Sequence, residues 1–189
     1  MIDQKKKEIR VKIKELKKEV ALEEKKRKSY IIFEKVEKMN AFKNAHVIMA
    51  YWSMNDEVFT HDFVQKWYKH KRIILPSVKG DELELRIFEG VENMRAGEAF
   101  GILEPEGIFD GELSEIDLII VPGVAFDIEN NRLGRGKAYY DKLLKNTSAV
   151  KIGVCFDFQL LDKIPVDEYD IKMDVVIDDK NYGTQGSAF

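Results

Sequence analysis

The residues best placed by type and spacing to do chemistry are Arg132, Arg135 and Lys137, three cations within six positions, interleaved with Gly134 and Gly136. Glycine lets backbone N–H groups approach an anion with no Cβ in the way. Arginine and lysine side chains then neutralise phosphate charge. The apolar spacing of Ala138, Tyr139, Leu143 and Leu144 suits a helix that begins where this loop ends. Its first N–H groups and its dipole would add to an anion site. The spacing matches neither G-x-x-x-x-G-K-[ST] nor G-x-G-x-x-G, so neither common nucleotide fingerprint is present. A basic surface turn would use the same residues.

The elements that must position this loop follow from hydrophobic patterning. Leu118-Ile119-Ile120-Val121 is a continuous apolar run, expected as a strand buried on both faces and ended by Pro122 and Gly123. Residues 127–131 are polar turn formers, expected as a loop. Val47 to Tyr51 reads as another buried strand. After it Ser53, Asn55 and Asp56 form a turn able to cap a helix over about 58–70. Arg72-Ile73-Ile74-Leu75 is the next strand, stopped by Pro76. Strand, helix, strand implies a right-handed parallel unit. Ligands of such sheets gather at the carboxyl ends of the strands. The stretch from Trp52 to Glu57 lies at one such end, and the Gly134 loop follows another. Residues 151–156 and 175–178 supply further strands.

Elsewhere the pattern is less regular. Gly80-Asp81 is a turn, and 82–88 alternates charged with apolar residues as a half-exposed strand does. Residues 90–111 are rich in glycine and proline and are expected as mobile loop around a substrate; 180–189 are expected as a poorly ordered tail. At the other end, Ile9, Ile13, Leu16 and Val20 recur at helical steps, so a helix over 2–19 packs one face on the body and projects Lys6 and Arg10 from one side. A second helix over 22–39 is expected to bury Tyr30, Ile31, Phe33 and Val36. The expected fold is a single α/β domain over 1–189, a Rossmann-like three-layer sandwich with a mostly parallel central sheet and an N-terminal helical segment over 1–40.

Composition narrows the setting. The 189 residues suffice for one sizeable core. No apolar run approaches membrane-spanning length, and the charged N-terminus has no signal-peptide core. Cys155 is the only cysteine, so no intrachain disulfide is possible, which suits a reducing cytoplasm. His46, His61 and His70 lack ligand spacing. The net charge of −3 divides into +6 over residues 1–38 and −9 over the rest. A basic helix beside an acidic body is a solvated face or a source of cations for an anionic ligand.

At this point a resemblance becomes specific. Pro122-Gly123-Val124-Ala125-Phe126-Asp127, followed by Arg132-Leu133-Gly134-Arg135-Gly136-Lys137-Ala138-Tyr139-Tyr140-Asp141, is similar to the signature of the 5-formyltetrahydrofolate cyclo-ligase family. Further blocks resemble that family in order along the chain: Lys6-Lys7-Glu8-Ile9-Arg10, Trp52-Ser53-Met54-Asn55-Asp56-Glu57, Phe100-Gly101-Ile102-Leu103-Glu104-Pro105, Phe156-Asp157-Phe158-Gln159 and Tyr169-Asp170-Ile171-Lys172-Met173-Asp174. Two positions depart from it. Ala138 stands where the family usually has glycine, and Tyr169 where many members have histidine.

The resemblance implies an ATP-dependent ligase that closes 5-formyltetrahydrofolate, with or without a polyglutamate tail, to 5,10-methenyltetrahydrofolate. It implies that Lys6, Lys7, Arg10 and the segment Arg132, Leu133, Gly134, Arg135, Gly136, Lys137, Ala138, Tyr139 and Tyr140 contact ATP, with Arg135 and Lys137 catalytic. Trp52, Glu57 and Glu104 would hold the folate with Arg135, Gly136, Lys137, Ala138 and Tyr139. Asp141 and Asp170 would associate with Mg2+, and the protein would act as a monomer. Two other readings stay open on the residues alone. One is a noncatalytic nucleotide- or RNA-binding module, against which stand the acidic body and the lack of an aromatic RNA platform. The other is a sugar-phosphate isomerase or CoA transferase on the same kind of fold, where fold analogy alone is a weak guide to function.

Overall fold

The computed structural model describes residues 1–97 and 101–180. It opens with two long helices, α1 (Ile2–Glu19) and α2 (Leu22–Lys38), and a short α3 (Asn40–Asn44). Then come β1 (Val47–Met49), α4 (His61–Trp67), β2 (Arg72–Lys79), β3 (Glu82–Ile87), β4 (Met94–Ala96), β5 (Leu103–Pro105) and β6 (Gly107–Ile108). The chain continues through β7 (Leu118–Val121), β8 (Ala125–Asp127), β9 (Arg132–Leu133), α5 (Tyr139–Leu144), β10 (Val150–Val154), β11 (Leu160–Leu161) and β12 (Val175–Ile177). The main sheet runs in the order β12, β10, β7, β1, β2, β3, β6. From β12 to β2 neighbouring strands are parallel; β3 and β6 are antiparallel additions. A small sheet of β11, β8 and β9 and the β4–β5 hairpin complete the α/β architecture.

β7 matches its sequence expectation residue for residue. Leu118 and Ile120 face the core shared with Ile48, Ile73, Ile32, Val36 and Phe63, while Ile119 and Val121 face Met49, Ile74, Phe126 and Leu144. Burial on both faces is why the run has no polar interruption. Aspartates align the strand starts: Asp117 Oδ2 accepts from the N–H groups of His46 (2.7 Å) and Val47 (2.9 Å), and Asp174 Oδ2 from that of Lys151 (2.7 Å).

Several expectations need correction. β2 does not stop at Pro76 but runs on to Lys79, with Pro76 opposite Leu85. Phe88 N donates to Ile73 O, so by antiparallel alternation residues 74, 76 and 78 turn their backbone groups away from β3. Pro76 therefore faces the side where β1 has already ended, and no ladder bond is lost there. α4 begins at His61, not near 58, and neither Asn55 nor Asp56 caps it. Ser53 and Thr60 exchange backbone-to-hydroxyl bonds of 3.1 and 3.0 Å, and Phe59 N donates to Ser29 Oγ (2.9 Å), which holds 53–60 as a loop. In α2 the buried stripe is Lys25, Ser29, Ile32 and Val36; Tyr30, about 100° around the helix from Ser29, is 68% exposed. Residues 90–111, expected as loop, carry a 3-10 turn at Val91–Asn93, the β4–β5 hairpin and the edge strand β6. Phe100 and the tail over 181–189 lie outside the described residues.

The stretch 127–131 is the turn of the β8–β9 hairpin, which stands between β7 and the glycine loop. Asp127 is fully buried. Its Oδ1 accepts from the N–H groups of Glu129 (3.0 Å) and Asn131 (2.9 Å), and its Oδ2 from Asn131 Nδ2 (2.9 Å) and Ile164 N (3.1 Å). Removing the carboxylate would leave several buried donors unsatisfied. Asp127→Ala is expected to cost at least about 3 kcal/mol, measured as a lower midpoint of urea unfolding.

Candidate active site

The hairpin, the glycine loop and α1 together wall a cavity of about 450 Å³ at the carboxyl ends of β1 and β7. Ligand clefts are commonly of this size. α1 lies beside it because Ile13, with Ile9 and Leu16, packs on Val124, Ala125, Leu133 and Ile164. That contact brings Lys6 and Arg10 to the rim. Lys6 Nζ meets Asp170 Oδ2 (2.6 Å) and Asp167 Oδ2 (2.7 Å). Burial opposes its charge, but the two carboxylates outweigh that and hold the ammonium pKa above its ordinary value. Arg10 Nε donates to the carbonyl oxygen of Gly134 (2.9 Å) and so pins the loop. Lys7, one position round the helix, is exposed and not part of the lining.

Arg132 leaves β9 almost fully buried. Its Nη2 donates to Asp141 Oδ2 (2.9 Å), its Nη1 to the carbonyl oxygen of Pro122 (3.2 Å), and its guanidinium lies 5.5 Å from the centre of the Tyr140 ring. A Cβ at Gly134 would come within 2.9 Å of Arg132 Nη1. Any side chain there would crowd this arginine away from its bonds to Asp141 and Pro122, a reason for glycine additional to anion approach. Gly136 has φ +101°, which favours glycine, and Ala138 adopts the left-handed conformation (φ 55°, ψ 15°). Burial, then the nearby Glu57 carboxylate, pushes the Tyr140 phenol pKa upward, so it stays a neutral hydroxyl.

The opposite wall is acidic and aromatic. Arg135 Nη2 donates to both oxygens of Asp56 (2.9 and 3.1 Å) and to Glu57 Oε1 (3.1 Å). Burial opposes the arginine's charge, and Glu57 and Asp56 together override it, raising its pKa. Lys17 reaches Asp56 from α1 at 3.4 Å. Glu57 Oε2 accepts from Met54 N (2.9 Å). Trp52 stacks on His61 with ring centres 3.8 Å apart and lines the cavity. Glu104, on β5, is 8% exposed and borders the same space. Tyr139 donates from its hydroxyl to the carbonyl oxygen of Gly80 (3.3 Å).

Every residue singled out from sequence except Lys7 lines this cavity: Lys6, Arg10, Trp52, Glu57, Glu104, the segment from Arg132 to Tyr140, Asp141 and Asp170. Lys137 is exposed at its edge. Asp56, Asp167 and Lys17 were missed, although Asp56 adjoins Glu57 and Asp167 stands three residues before Asp170. Pro76, Val78 and Leu83 also line the space, and the assumed end of β2 had hidden them. Among the described residues no group of three or more His, Cys, Asp or Glu could hold a metal ion.

Comparison with known proteins decides the relationship. The sequence model of the 5-formyltetrahydrofolate cyclo-ligase family matches residues 2–179. The chain belongs to that family. A 5-formyltetrahydrofolate cyclo-ligase of Mus musculus is 30% identical over 189 residues, covering 89% of this chain and 91% of the relative. The cyclo-ligase of Escherichia coli K12 is 33% identical, covering 70% of this chain and 78% of its own. The NMR structure of Aquifex aeolicus 5,10-methenyltetrahydrofolate synthetase superposes with a TM-score of 0.84 at 36% identity, over 93% of this chain and 90% of that one. The synthetase of Mycoplasma pneumoniae gives 0.74 at 26% identity, over 93% and 99%. Cyclo-ligase membership accounts for why distant stretches of this sequence converge on one cavity.

Two outcomes follow from the local geometry. Ala138 pays a left-handed strain that glycine lacks, so Ala138→Gly is expected to stabilise by about 0.5–1 kcal/mol net, seen as a melting temperature about 2 °C higher. Burial lowers the pKa of His61 more than its bond to the Ser53 carbonyl raises it. In the window from the ordinary histidine pKa of about 6.5 down to the lowered folded value, the unfolded chain binds the extra proton. Stability is full above that window and falls as pH descends through it. Melting curves of His61→Phe should show a shallower loss between neutral and mildly acidic pH than the parent.

Proposed function

We propose that this chain converts 5-formyltetrahydrofolate and ATP to 5,10-methenyltetrahydrofolate, ADP and phosphate. The observation that carries the proposal is the meeting, in one cavity, of cations from α1 and the glycine loop with the carboxylates Glu57 and Glu104 and the flat face of Trp52. The N5-formyl group is an amide, with a poorly electrophilic carbon and a poor leaving group. Its oxygen attacks the γ-phosphorus, the bond from that phosphorus to the β,γ-bridging oxygen breaks, and ADP departs. N10 then attacks the activated carbon and loses its proton, and the C–O bond breaks to release phosphate. Such transfer depends on positioning and charge neutralisation.

Arg135, Lys137 and the backbone of Gly134 and Gly136 are suited to the phosphates, with Arg10 fixing the loop and Lys6 at the rim. Glu57 and Glu104 suit the N–H donors of the pterin edge, and Trp52 its ring. The lining carries five cations (Lys6, Arg10, Arg132, Arg135, Lys137) and six carboxylates (Asp3, Glu57, Glu104, Asp141, Asp167, Asp170). A triphosphate therefore needs charge from elsewhere, which supports Mg2+ entering with it. Magnesium uses one or two carboxylates alongside phosphate oxygens. Asp141 and Asp170 each engage a cation through Oδ2, and Asp141 Oδ1 has only a 3.4 Å contact to Ile171 N, so these residues fit such an ion. When bound, it would neutralise charge developing on the phosphates. The proposal takes the chain as one α/β domain acting as a cytoplasmic monomer without nucleic acid, on folate with or without a polyglutamate tail. Among the described residues no helix is long and apolar enough to cross a membrane.

Purified protein should generate the methenyl chromophore when folate, ATP and magnesium are all present, and not when ATP or magnesium is omitted. Folded protein that forms no product refutes the proposal. Lys137→Ala should lower kcat/KM by about a hundredfold or more while the melting temperature is unchanged, because the side chain is exposed.

A further inference from the structure

The carboxylate assigned to the pterin is held by the arginine assigned to phosphate. Glu57 Oε1 accepts from Arg135 Nη2 at 3.1 Å and Glu57 Oε2 from Met54 N at 2.9 Å, so each oxygen already accepts one bond and keeps room for another. A pterin edge presents its donors as a pair, and a guanidinium seated on Oε1 competes with that pair for position and for the carboxylate's charge. Arg135 has a competing seat on Asp56, which takes the same Nη2 through both oxygens at 2.9 and 3.1 Å. Asp56 is fixed in turn by Lys17, which is 5% exposed and reaches it from α1 at 3.4 Å. One guanidinium nitrogen is thus shared between two adjacent carboxylates, 78 and 79 positions away in sequence.

From this sharing we infer that Arg135 couples the two substrates, and that Asp56 is the positioning residue that sets the coupling. Drawn onto a phosphate oxygen by nucleotide, Arg135 releases Glu57 Oε1, and the pterin N–H donors take it. Nucleotide then tightens folate binding and, by reciprocity, folate tightens nucleotide binding by the same factor. The inference rests on the functional reading above. It adds a direction: nucleotide-bound protein is the form that accepts folate well. Asp56 competes with Glu57 for the arginine, so removing Asp56 leaves Arg135 wholly on Glu57 and hinders folate further.

The test is a titration of 5-formyltetrahydrofolate followed by tryptophan fluorescence, with and without the β,γ-imido analogue of ATP plus magnesium. In the parent protein the analogue should tighten folate binding about tenfold. Arg135→Met should bind folate without nucleotide about as tightly as the parent does with it, and gain nothing from the analogue. Asp56→Asn should weaken nucleotide-free folate binding and enlarge the tightening, a change of ratio that mere loss of stability would not produce. A product-forming parent whose folate affinity ignores the analogue overturns the coupling and leaves the functional reading standing. Weaker folate binding by Arg135→Met also overturns the coupling. A parent that neither forms product nor binds folate removes the functional reading itself.

Discussion

One buried carboxylate holds the cavity's architecture together. Asp127 gathers the turn between β8 and β9, the Asn131 side chain and the backbone of Ile164 around two oxygens with no access to solvent. Those bonds set where Arg132 emerges, and Arg132 sets where Gly134 can lie. They also tie in the segment that reaches Asp167 and Asp170 a few residues later. A carboxylate buried this deeply is tolerated because four neighbouring donors point at it. The glycine-rich part of the cavity wall is a loop, but that loop hangs from a well-bonded joint.

Built on that joint is a wall whose charges satisfy one another. Lys6 pairs with Asp167 and Asp170, Arg132 with Asp141, and Arg135 with Asp56 and Glu57. Isolated cations in a cavity would be costly to desolvate, and pairing removes much of that cost. The same pairing means that an anion does not simply fall into a positive hole; it must exchange partners with residues already bonded. Specificity for a ligand that brings both anionic and donor groups is a natural result of such exchange.

Much of the frame could be read from sequence because its cause is local. The short apolar run of β7, closed by Pro122 and Gly123, reads as a doubly buried strand, and the helical steps of Ile9, Ile13 and Leu16 carry α1 to its docking face. Where reading failed, the cause was tertiary. Pro76 ends a strand only if its nitrogen faces a partner, and that depends on where β1 stops. Tyr30 faces outward because the helix phase is set by residues 25, 29, 32 and 36 packing together, two of them polar and so silent in an apolar pattern. The hairpin at 127–131 was invisible as a hairpin because its strands are two and three residues long. Within the site, residue types converge as expected, but most of their ion pairs join positions far apart in the chain, such as Arg135 with Glu57, 78 apart, and Lys6 with Asp170, 164 apart. No spacing rule reaches that far; the familial blocks located the residues, and geometry supplied their partners.

The overhang of β2 beyond β1 has a final consequence. Residues 76–79 pair with β3 on one side only, so their other side is open edge. Such an edge is ordinarily a template on which a foreign strand can assemble. With a pyrrolidine ring at Pro76 in place of a donor, the ledge has one donor fewer than an ordinary strand edge, and Pro76 and Val78 bring hydrocarbon to the cavity. The cavity thereby gains an apolar ledge at the end of the sheet, where the proline makes the exposed backbone a poorer template for a foreign strand.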